Sequence, residues 1–183
     1  VEYDDSLSID DLFAQINQLP ETCITGKSDR VFNRHKQGKI QTVSRVAIDS
    51  LEILRDVYTP GVARVCQAIQ QNPEKIKEFT NIQNTVAIVT NGTAILGLGD
   101  IGPEAGLPVM EGKAAILAEI VGLSGVPILL KEKDPLKIIE IVEAISPSFG
   151  AILLEDIKAP ECFTIEEELI KRVNKPVFHD DQH

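Results

Sequence analysis

The sequence predicts an α/β fold: a three-layer domain with a mostly parallel sheet, preceded by a helical N-terminal segment. Short continuous apolar runs such as 151–154 alternate with amphipathic stretches of helical length. That alternation is typical of parallel strands whose two faces are both covered by helices. Before the alternation begins, the chain carries helical spacing without strand-like runs, which indicates the helical segment.

The individual elements follow from periodicity and from helix-capping residues. The spacing of apolar residues predicts helices at 9–16, 47–57, 62–69, 109–123, 135–145 and 164–173. Ser8 and Asp134 are the predicted N-caps of two of them, and Thr164 with Glu167 forms a capping box for the last. Apolar runs predict strands at 86–89, 128–130, 151–154 and 176–178. A further run at 94–96 follows the Asn91-Gly92 turn signal and indicates a hairpin with an antiparallel edge.

Composition excludes several classes of protein. The 183 residues are 43% hydrophobic and carry a net charge of −10, which disfavours nucleic-acid and membrane-surface partners. The most basic stretch, 27–39, is short and interrupted, so we expect a solvated surface there. No apolar run reaches the length of a membrane span, and the N-terminus has no signal-peptide pattern.

The three cysteines indicate the compartment. Cys23, Cys66 and Cys162 lie far apart, their number is odd, and no CxxC pair occurs. This arrangement predicts neither a disulfide framework nor a zinc site. It fits a reducing environment, so we expect a cytoplasmic protein.

Carboxylates follow two of the predicted strands. Glu155 and Asp156 come directly after 151–154, and Asp180 and Asp181 follow the last strand after His179. The carboxyl ends of parallel strands meet at one edge of the sheet, where α/β proteins bind ligands. Carboxylates gathered there repel one another, and a bound Mg²⁺ or Mn²⁺ removes that repulsion. Alternatively, these are solvated loop acids or helix caps. A polar supporting role suits His179, and also His183, better than metal ligation.

A glycine motif follows the second apolar run. Gly97, Gly99 and Gly102 match the G-x-G-x-x-G pattern of dinucleotide-binding loops. Pro103, Gly106 and Pro108 then delay the predicted helix, whereas a dinucleotide loop leads directly into one. We therefore favour a tight turn beside a substrate pocket over a nucleotide site.

Lys113 and Tyr58 are candidates for acid–base chemistry. Lys113 falls in the first turns of the predicted 109–123 helix, where the helix dipole and partial burial lower a lysine pKa and produce a base. Tyr58 stands just before a Pro-Gly turn. The simpler interpretations are a surface lysine and a packed tyrosine whose hydroxyl is hydrogen-bonded.

Taken together, these segments resemble the amino-terminal, substrate- and metal-binding domain of bacterial-type NAD(P)-dependent malic enzymes. They occur in the order and spacing of that family: Tyr-Thr-Pro-Gly-Val-Ala at 58–63, the Thr-Asn-Gly to Ile-Gly-Pro segment at 90–103, Leu-Pro-Val-Met-Glu-Gly-Lys at 107–113, Leu-Glu-Asp-Ile at 154–157 and Phe-His-Asp-Asp-Gln-His at 178–183. The resemblance spans about 35–183, and we expect 1–34 to be a helical N-terminal extension.

The resemblance implies a reaction and assigns residues to it. The family oxidises L-malate with NAD or NADP and decarboxylates the oxaloacetate to pyruvate, with Mg²⁺ or Mn²⁺ as cofactor. By that resemblance Lys113 is the general base and Tyr58 the acid that protonates enolpyruvate. Glu155, Asp156 and Asp181 are the metal ligands, and Asp180 supports them. The family also implies a homo-oligomer.

The sequence departs from the wider family at two places. Larger members carry a substrate-binding arginine where this chain has Gly-Thr-Ala at 92–94. A nucleotide-binding domain follows in the family, whereas this sequence ends at His183, so we expect no hydride transfer from the chain alone. Two alternatives stay open: a metal-dependent oxaloacetate decarboxylase, and a non-catalytic binding or assembly module.

Overall fold

The computed structural model describes residues 8–24, 26 and 28–180. The chain forms two compact units that divide between Lys36 and Gln37. In the first unit, helix α1 spans Ile9–Asn17 and α2 spans Arg30–His35. Ser8 caps α1 by accepting a hydrogen bond from the backbone N–H of Asp11, which confirms the predicted cap. The spacing of apolar residues did not predict α2, and the proposed boundary between 34 and 35 stays a prediction.

The second unit contains the sheet and six further helices in the part of the chain that the structure describes. In chain order its elements are α3 Leu51–Val57, α4 Val62–Gln71, α5 Ile76–Phe79, β1 Thr85–Thr90, α6 Pro103–Ile116, β2 Ser124–Leu129, α7 Pro135–Ile145, β3 Ala151–Leu154, α8 Glu161–Arg172 and β4 Val177–His179. Short 3₁₀ turns and one π-helical turn, Leu117–Val121, join some of them. Among the described residues, no helix combines the length and the apolar character that crossing a membrane requires.

Every strand pair in the sheet is parallel. The strand order is β2-β1-β3-β4, with Ile88 opposite Leu153 and Leu154 opposite His179. This confirms the predicted α/β class. The predicted hairpin was wrong, because Ile95 pairs only with Gly99 in an isolated antiparallel bridge. Gly97 and Gly99 both have positive φ angles, so the chain turns back on itself before a second strand can form.

The side chains of β1 alternate between two cores, one on each face of the sheet. Ala87 and Val89 pack with residues of α7 and α8, whereas Val86 and Ile88 pack with Met110 and Ala114 of α6. Each large aliphatic side chain that is fully buried in this way contributes about 1.5–3 kcal/mol to folding. Helices on both faces of the sheet give the three layers that the sequence predicts.

Helix α6 begins six residues before its predicted start at 109. Pro103 occupies the first turn, where its missing N–H costs nothing because that group has no partner within the helix. Gly106 allows the helix to approach Ile95, whose Cδ1 would lie 2.6 Å from a Cβ at position 106. Pro108 is accommodated inside the helix. The prolines and the glycine therefore do not delay α6, and that part of the prediction was wrong.

The other helices agree in position and differ mainly at their ends. Helix α7 is capped by Asp134, as predicted. Helix α3 begins only at Leu51, because the Ser50 side chain accepts from the Ile53 N–H and caps it there. Helix α8 begins at Glu161, so Thr164 lies inside it and the predicted capping box was wrong.

Candidate active site

The candidate site lies at the carboxyl edge of the sheet, where β3 and β4 end. Lys113 extends from α6 toward this edge, and its Nζ lies 2.6 Å from Asp180 Oδ2 and 3.3 Å from Glu155 Oε1. The lysine side chain is 23% exposed and that of Glu155 is 6% exposed. An ammonium group therefore joins the residue after β4 to the residue after β3.

The pKa of Lys113 is raised above its usual value, and the expected lowering was wrong. Burial is the largest single influence and lowers the pKa, but hydrogen bonds and charge attraction from Asp180 and Glu155 together outweigh it. The helix dipole does not lower the pKa of Lys113 either, because α6 begins at Pro103 and places Lys113 in its last turn.

Glu155 and Asp156 are buried side by side immediately after β3. They are 5% and 2% exposed. Neighbouring residues of a strand point to opposite faces, so two adjacent carboxylates can share one side only where the strand has ended. Asp156 has a φ of 54°, a left-handed conformation that Asp tolerates better than most residues. The turn required by the sequence argument is therefore present at Asp156.

The third proposed metal ligand, Asp181, lies outside the described residues, as does His183. Within 8–24, 26 and 28–180, no group of three or more His, Cys, Asp or Glu side chains is close enough to hold a metal ion. Two of the three proposed ligands are thus described, and both offer carboxylate oxygens in a buried position, which suits a hard cation such as Mg²⁺ or Mn²⁺.

His179 is completely buried at the end of β4, and its backbone N–H donates to Glu166 Oε1 at 2.9 Å. Glu166, on α8, is itself only 8% exposed. This carboxylate was not predicted from the sequence. Its signal was an acidic residue beside the buried stripe of Cys162, Ile165 and Leu169, where a charged side chain needs a partner.

Tyr58 is carried by a different part of the chain, at the end of α3. It follows the last residue of α3 and is 68% exposed, so the expectation of a packed tyrosine was wrong. In the part of the chain that the structure describes, its hydroxyl makes no hydrogen bond with Lys113 or with Asp180. Its role as the acid stays a prediction.

The glycine motif forms a closed loop between β1 and α6. Gly102 N–H donates to the Gly92 carbonyl at 3.2 Å, and a Cβ at Gly92 would lie 2.3 Å from the Gly102 carbonyl carbon. Gly102 is also the N-cap of α6. The close approach of two backbone segments explains Gly92, whereas positive φ angles explain Gly97, Gly99 and Gly102, in agreement with a tight turn.

Two ion pairs connect this loop and the first turn of α6 to the loop after β2. Lys133 Nζ lies 2.6 Å from Asp100 Oδ2, and Lys131 pairs with Glu104. The sequence did not predict either pair, because neither has a local pattern. A separate shallow pocket, lined by Ile76, Thr85 and Pro147 among others, lies near the amino end of β1 and contains none of the candidate residues.

The fold and this cluster define the class of protein: an α/β domain with a lysine and buried carboxylates at the carboxyl edge of its parallel sheet. Comparison with known families agrees. Residues 37–136, more than half of the chain, match the family model described as the N-terminal domain of malic enzyme. The chain belongs to the malic enzyme family.

Individual relatives are similar over most of this chain. Over 85% of this chain, it is 58% identical to the NAD-dependent malic enzyme 1 of Bacillus subtilis. Over 80% of this chain, it is 50% identical to the NADP-dependent malic enzyme of Escherichia coli. The crystal structure of the NAD-dependent malic enzyme from Thermotoga maritima aligns with a TM-score of 0.81 at 47% identity, covering 85% of this chain. The chain spans 36%, 19% and 44% of these three proteins, respectively.

Proposed function

We propose that this chain forms the malate- and metal-binding part of an enzyme that converts L-malate and NAD or NADP to pyruvate, CO₂ and the reduced cofactor. The observation that carries the proposal is the placement of Lys113 between Glu155 and Asp180, beside the buried Asp156. A partly buried cation among carboxylates at the carboxyl edge of a parallel sheet suits proton transfer on a small polar substrate. The nicotinamide cofactor is proposed from the names of the relatives.

Lys113 is the proposed general base for the malate hydroxyl. To accept the hydroxyl proton, Nζ would first have to give up its own proton through Asp180 Oδ2, which is 2.6 Å away. Asp180 is 43% exposed, so it can pass the proton to solvent, whereas Glu155 at 6% exposure cannot. This difference makes Asp180 the supporting partner and leaves Glu155 available as a ligand.

Glu155 and Asp156, with Asp181, are the proposed ligands of Mg²⁺ or Mn²⁺. A bound cation would supply a Lewis acid that polarises the malate hydroxyl and the carbonyl formed from it. Tyr58 is the proposed acid for enolpyruvate. Its 68% exposure leaves the hydroxyl free to meet a substrate.

Manganese binding tests this proposal. We expect the purified chain to bind about one Mn²⁺, measured by water-proton relaxation, and both Asp156→Ala and Asp181→Ala to abolish that binding. The control is Asp100→Ala, because Asp100 pairs with Lys133 outside the cluster and its loss should leave the titration unchanged. Equal binding by all four proteins would contradict the proposal and favour a non-catalytic module.

A second measurement addresses chemistry. Release of pyruvate from oxaloacetate by the Mn²⁺-loaded chain, lost in Glu155→Ala, would assign the decarboxylation half of the reaction to these residues. Retention of that activity in the variant would remove Glu155 from the site.

We also propose a cytoplasmic homo-oligomer. Helix α3 exposes Leu51, Leu54 and Val57, which lie on one side of the helix because they are three residues apart. A second copy of the chain covering these side chains would bury apolar surface. Sedimentation of wild type beside Leu51→Ser tests this: we expect the variant to be smaller, and a monomeric wild type would contradict it.

A further inference from the structure

The turn that carries Glu155 and Asp156 is held by hydrogen bonds from the neighbouring loop. Strand β3 ends at Leu154, and Asp156 then adopts its left-handed conformation. The Asp156 carbonyl accepts from the backbone N–H of Ala94 at 3.0 Å. Two residues later, the Lys158 N–H donates to Thr93 Oγ1 at 3.0 Å. The turn is thus tied at both ends to adjacent residues of the loop between β1 and α6.

Of these two hydrogen bonds, only the one between Lys158 and Thr93 uses a side chain. The Thr93 hydroxyl is buried, with the residue 4% exposed, and donates to Asn91 Oδ1 at 2.6 Å while accepting from Lys158. Asn91 Nδ2 in turn donates to the Glu132 carbonyl at 3.3 Å, in the loop after β2. The Thr93 hydroxyl and the Asn91 amide together therefore connect the loops that follow β1, β2 and β3 at the carboxyl edge.

Backbone conformation alone does not stabilise this turn. A left-handed residue other than glycine is strained, and such strain persists only where surrounding contacts hold it. Metal ligands must also be placed within a few tenths of an ångström to bind well. A hydroxyl that fixes the turn therefore acts on the two carboxylates without touching them.

We propose that Thr93 is a positioning residue for the Glu155–Asp156 pair, and that its hydroxyl sets the metal affinity of the site. The inference rests on the proposed metal-binding function. Groups that orient metal ligands typically change affinity by about 10–100-fold when they are removed. Valine has nearly the shape of threonine without the hydroxyl, and serine keeps the hydroxyl without the methyl group.

The test compares Mn²⁺ binding by wild type, Thr93→Val and Thr93→Ser, measured on the purified chain by water-proton relaxation. We expect Thr93→Val to weaken binding about tenfold or more, and Thr93→Ser to stay within about threefold of wild type. Unchanged affinity in Thr93→Val would overturn the inference, and so would equal losses in both variants.

Thr90→Val is the matched control. Thr90, the last residue of β1, is also fully buried, and its hydroxyl accepts from the Gly92 N–H at 3.0 Å. Within the described residues that hydroxyl makes no hydrogen bond to the Asp156 turn. We expect this variant to lose a hydrogen bond and keep its Mn²⁺ affinity. If it weakens binding as much as Thr93→Val does, the effect is general loop stability and the inference fails.

Amide hydrogen exchange separates failure of this inference from failure of the proposed function. A wild-type chain that binds no Mn²⁺ contradicts the proposed function and leaves the exchange measurement to decide about Thr93. We expect the Lys158 N–H to exchange faster in Thr93→Val and at the wild-type rate in Thr90→Val, with no metal present. An unchanged Lys158 rate in Thr93→Val would overturn the inference whether or not metal binds.

Discussion

Lys113 Nζ lies 2.6 Å from Asp180 Oδ2, which fastens the last turn of α6 to the residue that follows β4. The same ammonium reaches Glu155 at 3.3 Å, after β3. These two carboxylates differ in exposure, 43% for the Asp180 side chain and 6% for that of Glu155. This difference in exposure predicts how much each of the two contacts contributes to the stability of the fold.

Removing the lysine should cost more stability than removing its exposed partner. We expect Lys113→Met to destabilise the fold by about 1–3 kcal/mol, because Glu155 stays buried and loses this counter-charge. Asp180→Asn should cost about 1 kcal/mol or less, since a half-exposed pair is screened by solvent. Urea unfolding of both variants measures this. A larger loss in Asp180→Asn would show that the exposed contact dominates.

Much of the fold was predictable because local patterns encode it. The apolar runs that become β1 and β3 are short, continuous and bounded by turn residues, which only a buried parallel sheet explains well. The caps Ser8 and Asp134 were found for the same reason, since capping depends on neighbours within one turn.

The parts that could not be predicted depend on contacts between distant residues. Lys113 and Asp180 are 67 residues apart, and Thr93 and Lys158 are 65 apart, so no spacing rule connects them. The start of α6 was missed because prolines and glycines usually mark loops, whereas here Gly106 provides room for Ile95. Tertiary packing overrode the local preference at that point.

Tyr58→Phe should separate a chemical role from a structural one. Because Tyr58 is 68% exposed, we expect this substitution to change the free energy of unfolding by no more than about 0.5 kcal/mol. Pyruvate release from oxaloacetate with Mn²⁺ present should fall about tenfold or more if the hydroxyl is the acid. Ile170→Ala, on α8 and 56% exposed, should leave the rate unchanged. A normal rate in Tyr58→Phe would exclude the hydroxyl from the reaction.

Two glycines of the loop between β1 and α6 should respond differently to alanine. A Cβ at Gly92 would meet backbone atoms of Gly102 at 2.3–2.4 Å, so Gly92→Ala should cost about 3 kcal/mol or more. Gly97 has a similar positive φ but open space around it, so Gly97→Ala should cost only about 1–2 kcal/mol. Thermal unfolding distinguishes them. Equal losses would mean that backbone strain, rather than the close approach, explains Gly92.

Two lysines near the end of α8 should make the free energy of unfolding depend on pH in opposite directions. Burial lowers the pKa of Lys175, whose Nζ donates to the carbonyls of Ser146 and Phe149. The pKa of Lys171 is raised, because Lys171 forms a hydrogen bond with Glu168 and is attracted by its charge. In the unfolded chain both lysines have the ordinary pKa of about 10.4. Folding therefore lowers the pKa of Lys175 and raises that of Lys171.

For Lys175 the folded state binds the proton less tightly than the unfolded chain does. The charge therefore opposes folding below the lowered pKa, and wild type should gain stability relative to Lys175→Met as pH rises from that pKa to about 10.4. For Lys171 the contribution is fully present below about 10.4 and is lost as pH rises through the raised pKa, so wild type should lose stability relative to Lys171→Met. Urea unfolding of the three proteins across this alkaline range measures both differences. If the two differences change in the same direction, the general charge of the protein, rather than the surroundings of each lysine, controls stability at high pH.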